Sequence, residues 1–200
     1  ATPFTLAGRA HRLLLGLKGT MSEFELGLLR QRAQEAYRQK ALRGEVMTRV
    51  PVGFVRKDGH GIEMTPDRQV QQAIRDFFLR LQGSSSLRQV LLWHHQEKIL
   101  FPVTRMSDGR ESLEWRLPNY QQLLRMVKNP TYAGAFAWGR SGARSKLVDG
   151  RSRKTAGHRL EMDRWQVLLK DHHRGYIKWE DYQSNLDKLV VKPANEAGGK

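Results

Sequence analysis

Residues 65–96 read TPDRQVQQAIRDFFLRLQGSSSLRQVLLWHHQ. Thr65 followed by Pro66 is a helix start, with the hydroxyl as N-cap and the proline at the first helical position, where its missing N–H is not needed. Val70, Ile74, Phe77, Phe78 and Leu81 then recur at helical spacing, so a helix running to about Gln82 would bury that face. Gly83-Ser84-Ser85-Ser86 makes a corner, and Ser86 with Gln89 forms a capping box for a second helix through Val90, Leu91 and Trp93 to about Gln96. Two helices joined by a short Gly/Ser turn fit a helix-turn-helix, and they fit an antiparallel helical hairpin in an ordinary core equally well.

Upstream of this pair, Val50 to Met64 carries Asp58-Gly59 between two short apolar runs, a hairpin signal. Before that, a helix from about Arg9 to Arg43 has apolar residues at Leu14, Leu17, Met21, Phe24 and Leu28, whose alternating steps of three and four make a seam for a partner. Beyond Leu29 the helix turns basic, with Arg30, Arg32, Arg38, Lys40 and Arg43, and Gly44 is placed to end it. A helix already under way by Gly8 is an abrupt opening for a domain, and the chain reads as cut from something larger.

Downstream, a second hairpin is expected around Ser107-Asp108-Gly109-Arg110, between Ile99–Arg105 and Ser112–Leu117. A short helix from about Tyr120 to Lys128 follows, with Leu123, Leu124 and Val127 inward. Gln121, Gln122 and Arg125 lie on its outer side, preceded by Arg116 and Asn119. Arg, Asn and Gln match base edges in the major groove, although any surface helix also needs a polar face. Between Trp138 and Leu160, Arg140, Arg144, Lys146, Arg151, Arg153, Lys154 and Arg159 stand against a lone Asp149, in a Gly- and Ser-rich stretch that reads as a mobile loop able to clamp a phosphate backbone. Trp165 to Leu169 reads as a strand, and Trp179 opens a last helix reaching about Val191. Pro193 to Lys200 reads as a linker or a chain end.

Composition narrows the partner. The 200 residues hold 35 Lys+Arg against 20 Asp+Glu, a net charge of +15. That excess favours a polyanion, because neutralised phosphates release condensed counterions. No apolar run approaches the ~20 residues of a spanning helix, and no signal-peptide pattern is visible, so a cytoplasmic protein is expected. The absence of cysteine excludes disulfides and thiolate zinc sites within these residues. His94-His95 and His172-His173 lack a third ligand at matching spacing, so no metal site is expected. The expected class is α+β, mainly helical: a long N-terminal helix (1–43), a DNA-binding domain with a helix-turn-helix and short β-hairpins (44–192), and residues 193–200 as linker.

Ser22-Glu23-Phe24-Glu25 with Leu28-Leu29-Arg30-Gln31-Arg32 and Gly44 resembles the long helix that ends the catalytic domain of serine recombinases. Pro51-Val52-Gly53-Phe54, Thr65-Pro66-Asp67, Gly83-Ser84-Ser85, Asn129-Pro130-Thr131-Tyr132-Ala133-Gly134 and Ile177-Lys178-Trp179-Glu180-Asp181-Tyr182 follow in order. The series, from about Gly8 to Leu189, is similar to the recombinase domain of the large serine recombinases; each motif is unspecific alone, and the order carries the likeness. The resemblance implies cleavage of both strands through a serine nucleophile, 5′-phosphoserine links, subunit rotation and rejoining, with no cofactor in the chemistry. It implies too that the nucleophile and its arginine cluster lie in a catalytic domain of which only the tail, about Thr2 to Leu42, is present, so this chain alone would carry no catalytic residue. In the family the long helix joins subunits by its front half and crosses the minor groove by its back half; Arg32 falls at the DNA-contacting arginine and Glu25 at the acidic position. A zinc ribbon usually follows, and would be sought beyond Lys200.

The expected partner is therefore double-stranded DNA, one recombination half-site. Arg32, Arg38, Arg43 and Arg49 would lie at the minor groove. Arg116, Asn119, Gln121, Gln122, Arg125 and Lys128 would lie at the major groove, and Arg140, Arg144 and Lys154 along phosphates. Leu14, Leu17, Met21 and Phe24 would serve self-association. Two other classes fit parts of the pattern: a helix-turn-helix transcription regulator without strand chemistry, and an oligomerisation module whose charge serves solubility.

Overall fold

A computed structural model describes residues 4–46, 49–57, 61–107, 110–148 and 151–190. The chain divides into two compact units, Ala1–Val46 and Met47–Lys200. The first is one helix, α1 (Phe4–Leu42). Gly44 ends it as expected: at φ 75° its N–H donates to Ala41 O at 2.9 Å while Glu45 N donates to Lys40 O at 3.0 Å, so two terminal carbonyls are satisfied.

The second unit is α+β. Its order is β1 (Phe54–Arg56), β2 (Ile62–Met64), α2 (Arg68–Gln82), α3 (Leu87–Gln96), β3 (Phe101–Ser107), β4 (Arg110–Arg116), α4 (Tyr120–Val127), a 3-10 turn (Pro130–Ala133), β5 (Phe136–Trp138), β6 (Ser141–Val148), β7 (Arg151–Arg159), a second 3-10 turn (Met162–Arg164), β8 (Val167–Leu169) and α5 (Trp179–Val190). The strands make four antiparallel pairs: β1 with β2, β3 with β4, β5 with β8 and β6 with β7. Both Asp-Gly hairpins formed, although the turn residues 58–60 and 108–109 lie outside the described residues.

Helix α2 buries the expected face, Val70, Ile74, Phe77, Phe78 and Leu81. Phe77 meets Phe78 and Phe101 edge-on at ring-centroid distances of 5.0 and 5.7 Å, and Phe78 packs on Tyr132 at 5.5 Å. Burying each such ring stabilises by roughly 1.5–3 kcal/mol. Leu87 and Val90 of α3, Leu123, Met126 and Val127 of α4, and Phe54 and Ile62 of the first hairpin complete the cluster. Helix α5 reaches back to the α2–α3 corner, where Lys188 Nζ donates to Leu81 O (2.9 Å) and Gln82 O (2.7 Å). An ammonium at the C-terminus of α2 satisfies free carbonyls and suits the helix dipole.

Four sequence expectations are corrected. The N-cap of α2 is Asp67, not Thr65: its carboxylate accepts from Gln69 N (2.9 Å) and Val70 N (3.2 Å), while Thr65 Oγ1 only accepts from Asp67 N at 3.4 Å. A carboxylate at the dipole's positive end outcompetes a hydroxyl two residues earlier, which puts Pro66 before the cap. At α3, Ser86 caps through Gln89 N (3.4 Å), but Gln89 Oε1 accepts from Ser85 N (3.2 Å) rather than from Ser86. Trp165 precedes rather than begins a strand; it follows the second 3-10 turn, its indole donating to Leu160 O at 3.1 Å. Finally, residues 141–148 and 151–159 are no loop. They form the β6–β7 hairpin, because ladder hydrogen bonds between backbones need no apolar side chains to order them. Among the described residues, no helix is long and apolar enough to cross a membrane.

Candidate nucleic-acid interface

Helix α4 is short and sharply defined. Asn119 Oδ1 accepts from Gln122 N and Gln122 Oε1 accepts from Asn119 N, both at 2.9 Å, a complete capping box. Both side chains expected at base edges therefore have a structural task at the helix start. Leu123, Met126 and Val127 are inward, with Leu124 only partly buried. Gln121 and Arg125, one turn apart, share the exposed face, and Arg116 is exposed at the end of β4. Lys128 is half-buried at the C-terminus of α4, where its carbonyl accepts from Arg159 Nη2 (3.1 Å) and Tyr182 Oη (3.4 Å).

Arg159 belongs to β7, so this bond fixes the root of the basic hairpin against the end of α4. Arg140 stands beside that root, its guanidinium 5.8 Å from the Trp165 ring centroid and its carbonyl accepting from Leu160 N at 2.9 Å. Burial, and then the neighbouring Arg159 cation, hold the Arg140 pKa below its ordinary value. Burial pushes Tyr182 up to about 12 against the pull of the same two arginines. Among the described residues neither Arg140 nor Arg159 has a carboxylate partner; the ion pairs are Arg38–Glu35, Arg43–Glu45 and Arg105–Glu114. Two cations this close without an acid favour an anion between or beside them.

The hairpin also separates two expected contacts. Arg144 pairs with Thr155, whereas Lys154 pairs with Ser145, one step out of phase, so positions 144 and 154 fall on opposite faces of the ribbon. The Lys154 side chain lies outside the described residues.

Arg49, exposed, borders a cleft of about 360 Å³ lined by Val50 to Arg56, Thr104 and Leu113 among others. This segment is held by two tyrosines, Tyr132 Oη donating to Val52 O (2.9 Å) and Tyr176 Oη donating to Gly53 O (2.5 Å). Burial raises the pKa of both, Tyr176 to about 12, so both stay donors at neutral pH.

Arg32 and Arg38 lie on α1, six residues and so about a third of a turn apart at ~100° per residue, and Arg43 lies just beyond its end. Arg43 is engaged by Glu45 at 2.7 and 2.9 Å. Leu17, Met21 and Phe24 are 62, 63 and 66% exposed, an apolar stripe left uncovered in the single chain. Leu14 lies in the helix, its side chain outside the described residues.

Three of the four histidines of the His94-His95 and His172-His173 pairs sit against backbone carbonyls. His94 Nδ1 lies 3.2 Å from Ile99 O, His95 Nε2 2.9 Å from Pro118 O, and His173 Nε2 2.8 Å from Thr131 O. Burial holds the pKa of His94 and of His173 below the usual histidine value. Among the described residues no three His, Asp or Glu side chains gather to hold a metal ion.

Arg159, Tyr182 and Trp165 are the members of this surface that sequence reading did not select. Arg159 was visible only as one of seven basic residues, and nothing local distinguishes the one that bonds a carbonyl 31 residues away.

The family model described as Recombinase matches residues 68–189. The chain is also similar to the uncharacterized protein y4bA/y4pH of Sinorhizobium fredii, 38% identical over 179 residues that cover 89% of this chain and 25% of that protein. The chain thus spans about a quarter of the length of this curated relative. No solved structure matches it.

Proposed function

The chain belongs to the Recombinase family, the domain of the large serine recombinases, and from that premise we propose that it grips one half of a recombination site on duplex DNA. The observation that carries this reading is the basic hairpin, seven Lys+Arg against one Asp between residues 139 and 160, whose root is bonded to the C-terminus of α4. A surface so charged, with no ion pair among its described residues, is suited to phosphates, and it stands beside a helix with an outward Gln121 and Arg125. In this proposal α2, the corner and α3 form the helix-turn-helix scaffold, and α4 enters the major groove. Cleavage and rejoining belong to a serine nucleophile expected in another part of the whole enzyme. This chain's share is positioning, with no cofactor of its own.

Selection of a preferred duplex, followed by affinity measurements on it and on scrambled DNA, tests the assignment of α4. Arg125→Ala is expected to cost about 1–3 kcal/mol on the preferred duplex and far less on scrambled DNA, as for a lost base contact. Equal losses on both duplexes would remove α4 from the reading role.

The exposed stripe of Leu17, Met21 and Phe24 is assigned in the same reading to self-association in the full-length enzyme. Burying such residues contributes roughly 1.5–3 kcal/mol each, so the chain is expected to sediment as a concentration-dependent oligomer and Phe24→Glu as a monomer. Identical masses for the two proteins would overturn that assignment.

A further inference from the structure

The β6–β7 hairpin has two unlike faces. Arg144 pairs with Thr155, Lys146 with Arg153, and Val148 with Arg151, and residues directly opposite in an antiparallel pair project to the same side. Positions 144, 146, 151 and 153 therefore share one face, while Ser145, Leu147, Ser152 and position 154 share the other. The Arg144, Arg151 and Arg153 side chains are exposed, as is Leu147 at 72%.

This is an expensive arrangement in isolation. Arg144, Arg151 and Arg153 put three like charges on one face of the strand pair, and a lone two-stranded hairpin is marginal in water. Neither strand contains an acidic residue to offset the repulsion. Neither contains Asn or Gln, whose amides pair with adenine; the Arg, Lys, Ser and Thr that do occur can all donate to phosphate oxygens, and of these Arg and Lys can also reach guanine. The strands are eight and nine residues long, so at ~3.3 Å per residue the ribbon reaches roughly 25 Å from its root. At ~3.4 Å per nucleotide that is about seven phosphates of one DNA strand.

We propose that Arg144, Arg151 and Arg153 form a one-sided phosphate track along the hairpin, following the duplex backbone away from α4 without reading sequence. The opposite face, with Ser145, Leu147 and Ser152, points away from the DNA. Arg159 sets the direction of the track by bonding the root to Lys128 O. The proposal rests on the DNA-binding reading above and adds to it which face of which element holds the backbone.

Affinity for a random-sequence duplex, measured over a series of salt concentrations, provides the test. The Arg144→Gln/Arg151→Gln/Arg153→Gln variant alters only exposed side chains, and thermal melting checks that it remains folded. Each phosphate contact contributes about 0.9 to the slope of log affinity against log salt, so the triple variant is expected to lose about 2.7 of that slope. A Ser145→Ala/Leu147→Ser variant of the other face is expected to keep it. An unchanged slope in the triple variant, or equal losses from both faces, overturns the one-sided track while leaving the DNA reading intact. Wild-type chain that binds duplex without salt dependence, or not at all, overturns both.

Discussion

Gly53→Ala is expected to lower the stability of the second unit by roughly 2–6 kcal/mol, read as a fall in the urea midpoint and in the thermal midpoint. Gly53 sits at φ 90°, a conformation that an L side chain adopts at a cost of about 1–3 kcal/mol. A Cβ there would also run into Ile74 Cδ1 and stand 2.9 Å from Tyr176 Oη. Ile74 is wholly buried on α2, so any shift must be absorbed inside the core, and overpacking of this kind costs about 1–3 kcal/mol more. Gly83→Ala supplies the contrast: φ is −80° and the nearest atoms to an added Cβ are 3.9 Å away. That change is expected to be neutral or stabilising by up to about 1 kcal/mol. Equal destabilisation at the two glycines would show that neither backbone angle nor contact at Gly53 matters.

The second large effect is expected at Tyr132, where alanine should cost about 3–5 kcal/mol and phenylalanine about 1–3 kcal/mol. Its ring is 2% exposed and lies between Phe54 at 5.6 Å and Phe78 at 5.5 Å. Its hydroxyl donates to Val52 O, and its own carbonyl accepts from Tyr176 N (2.7 Å) and Ile177 N (3.1 Å). One residue thus joins the segment after Arg49, the α2 face and the approach to α5. Removing the ring leaves a cavity among aromatics, whereas removing only the hydroxyl leaves a partly buried carbonyl without its donor. Urea unfolding of the two variants separates these contributions. A phenylalanine variant as stable as wild type would mean that the Val52 carbonyl finds another donor at no cost.

These two positions also show what could be read in advance. Pro51-Val52-Gly53-Phe54 and Asn129-Pro130-Thr131-Tyr132-Ala133-Gly134 stand out in the sequence, and the local chemistry of the second is legible. Asn129 Oδ1 accepts from Thr131 N at 3.3 Å, Pro130 opens the turn, and Gly134 closes it at φ 73°. Their meeting is not legible, because 80 residues separate Tyr132 from Val52 and 123 separate Tyr176 from Gly53. The same holds at the surface proposed to face DNA. A polar outer side of α4 follows from helical spacing, but the engagement of Asn119 and Gln122 with each other's backbone N–H is a choice that only the folded helix end makes.

By itself, the sequence determined whatever depends on neighbours a few residues apart: the apolar face of α2, the Asp-Gly hairpins, the Gly44 stop of α1, the basic excess and the order of motifs that carries the family. Periodicity and turn chemistry are local, so they survive without knowledge of the fold. The tertiary structure alone decided that residues 141–148 and 151–159 are a two-faced ribbon rather than a loop, and that Arg159 ties its root to α4. It also set β5 against β8, Phe136–Trp138 against Val167–Leu169. Register and long-range hydrogen bonds have no local signature, because the partner that completes them is set by packing.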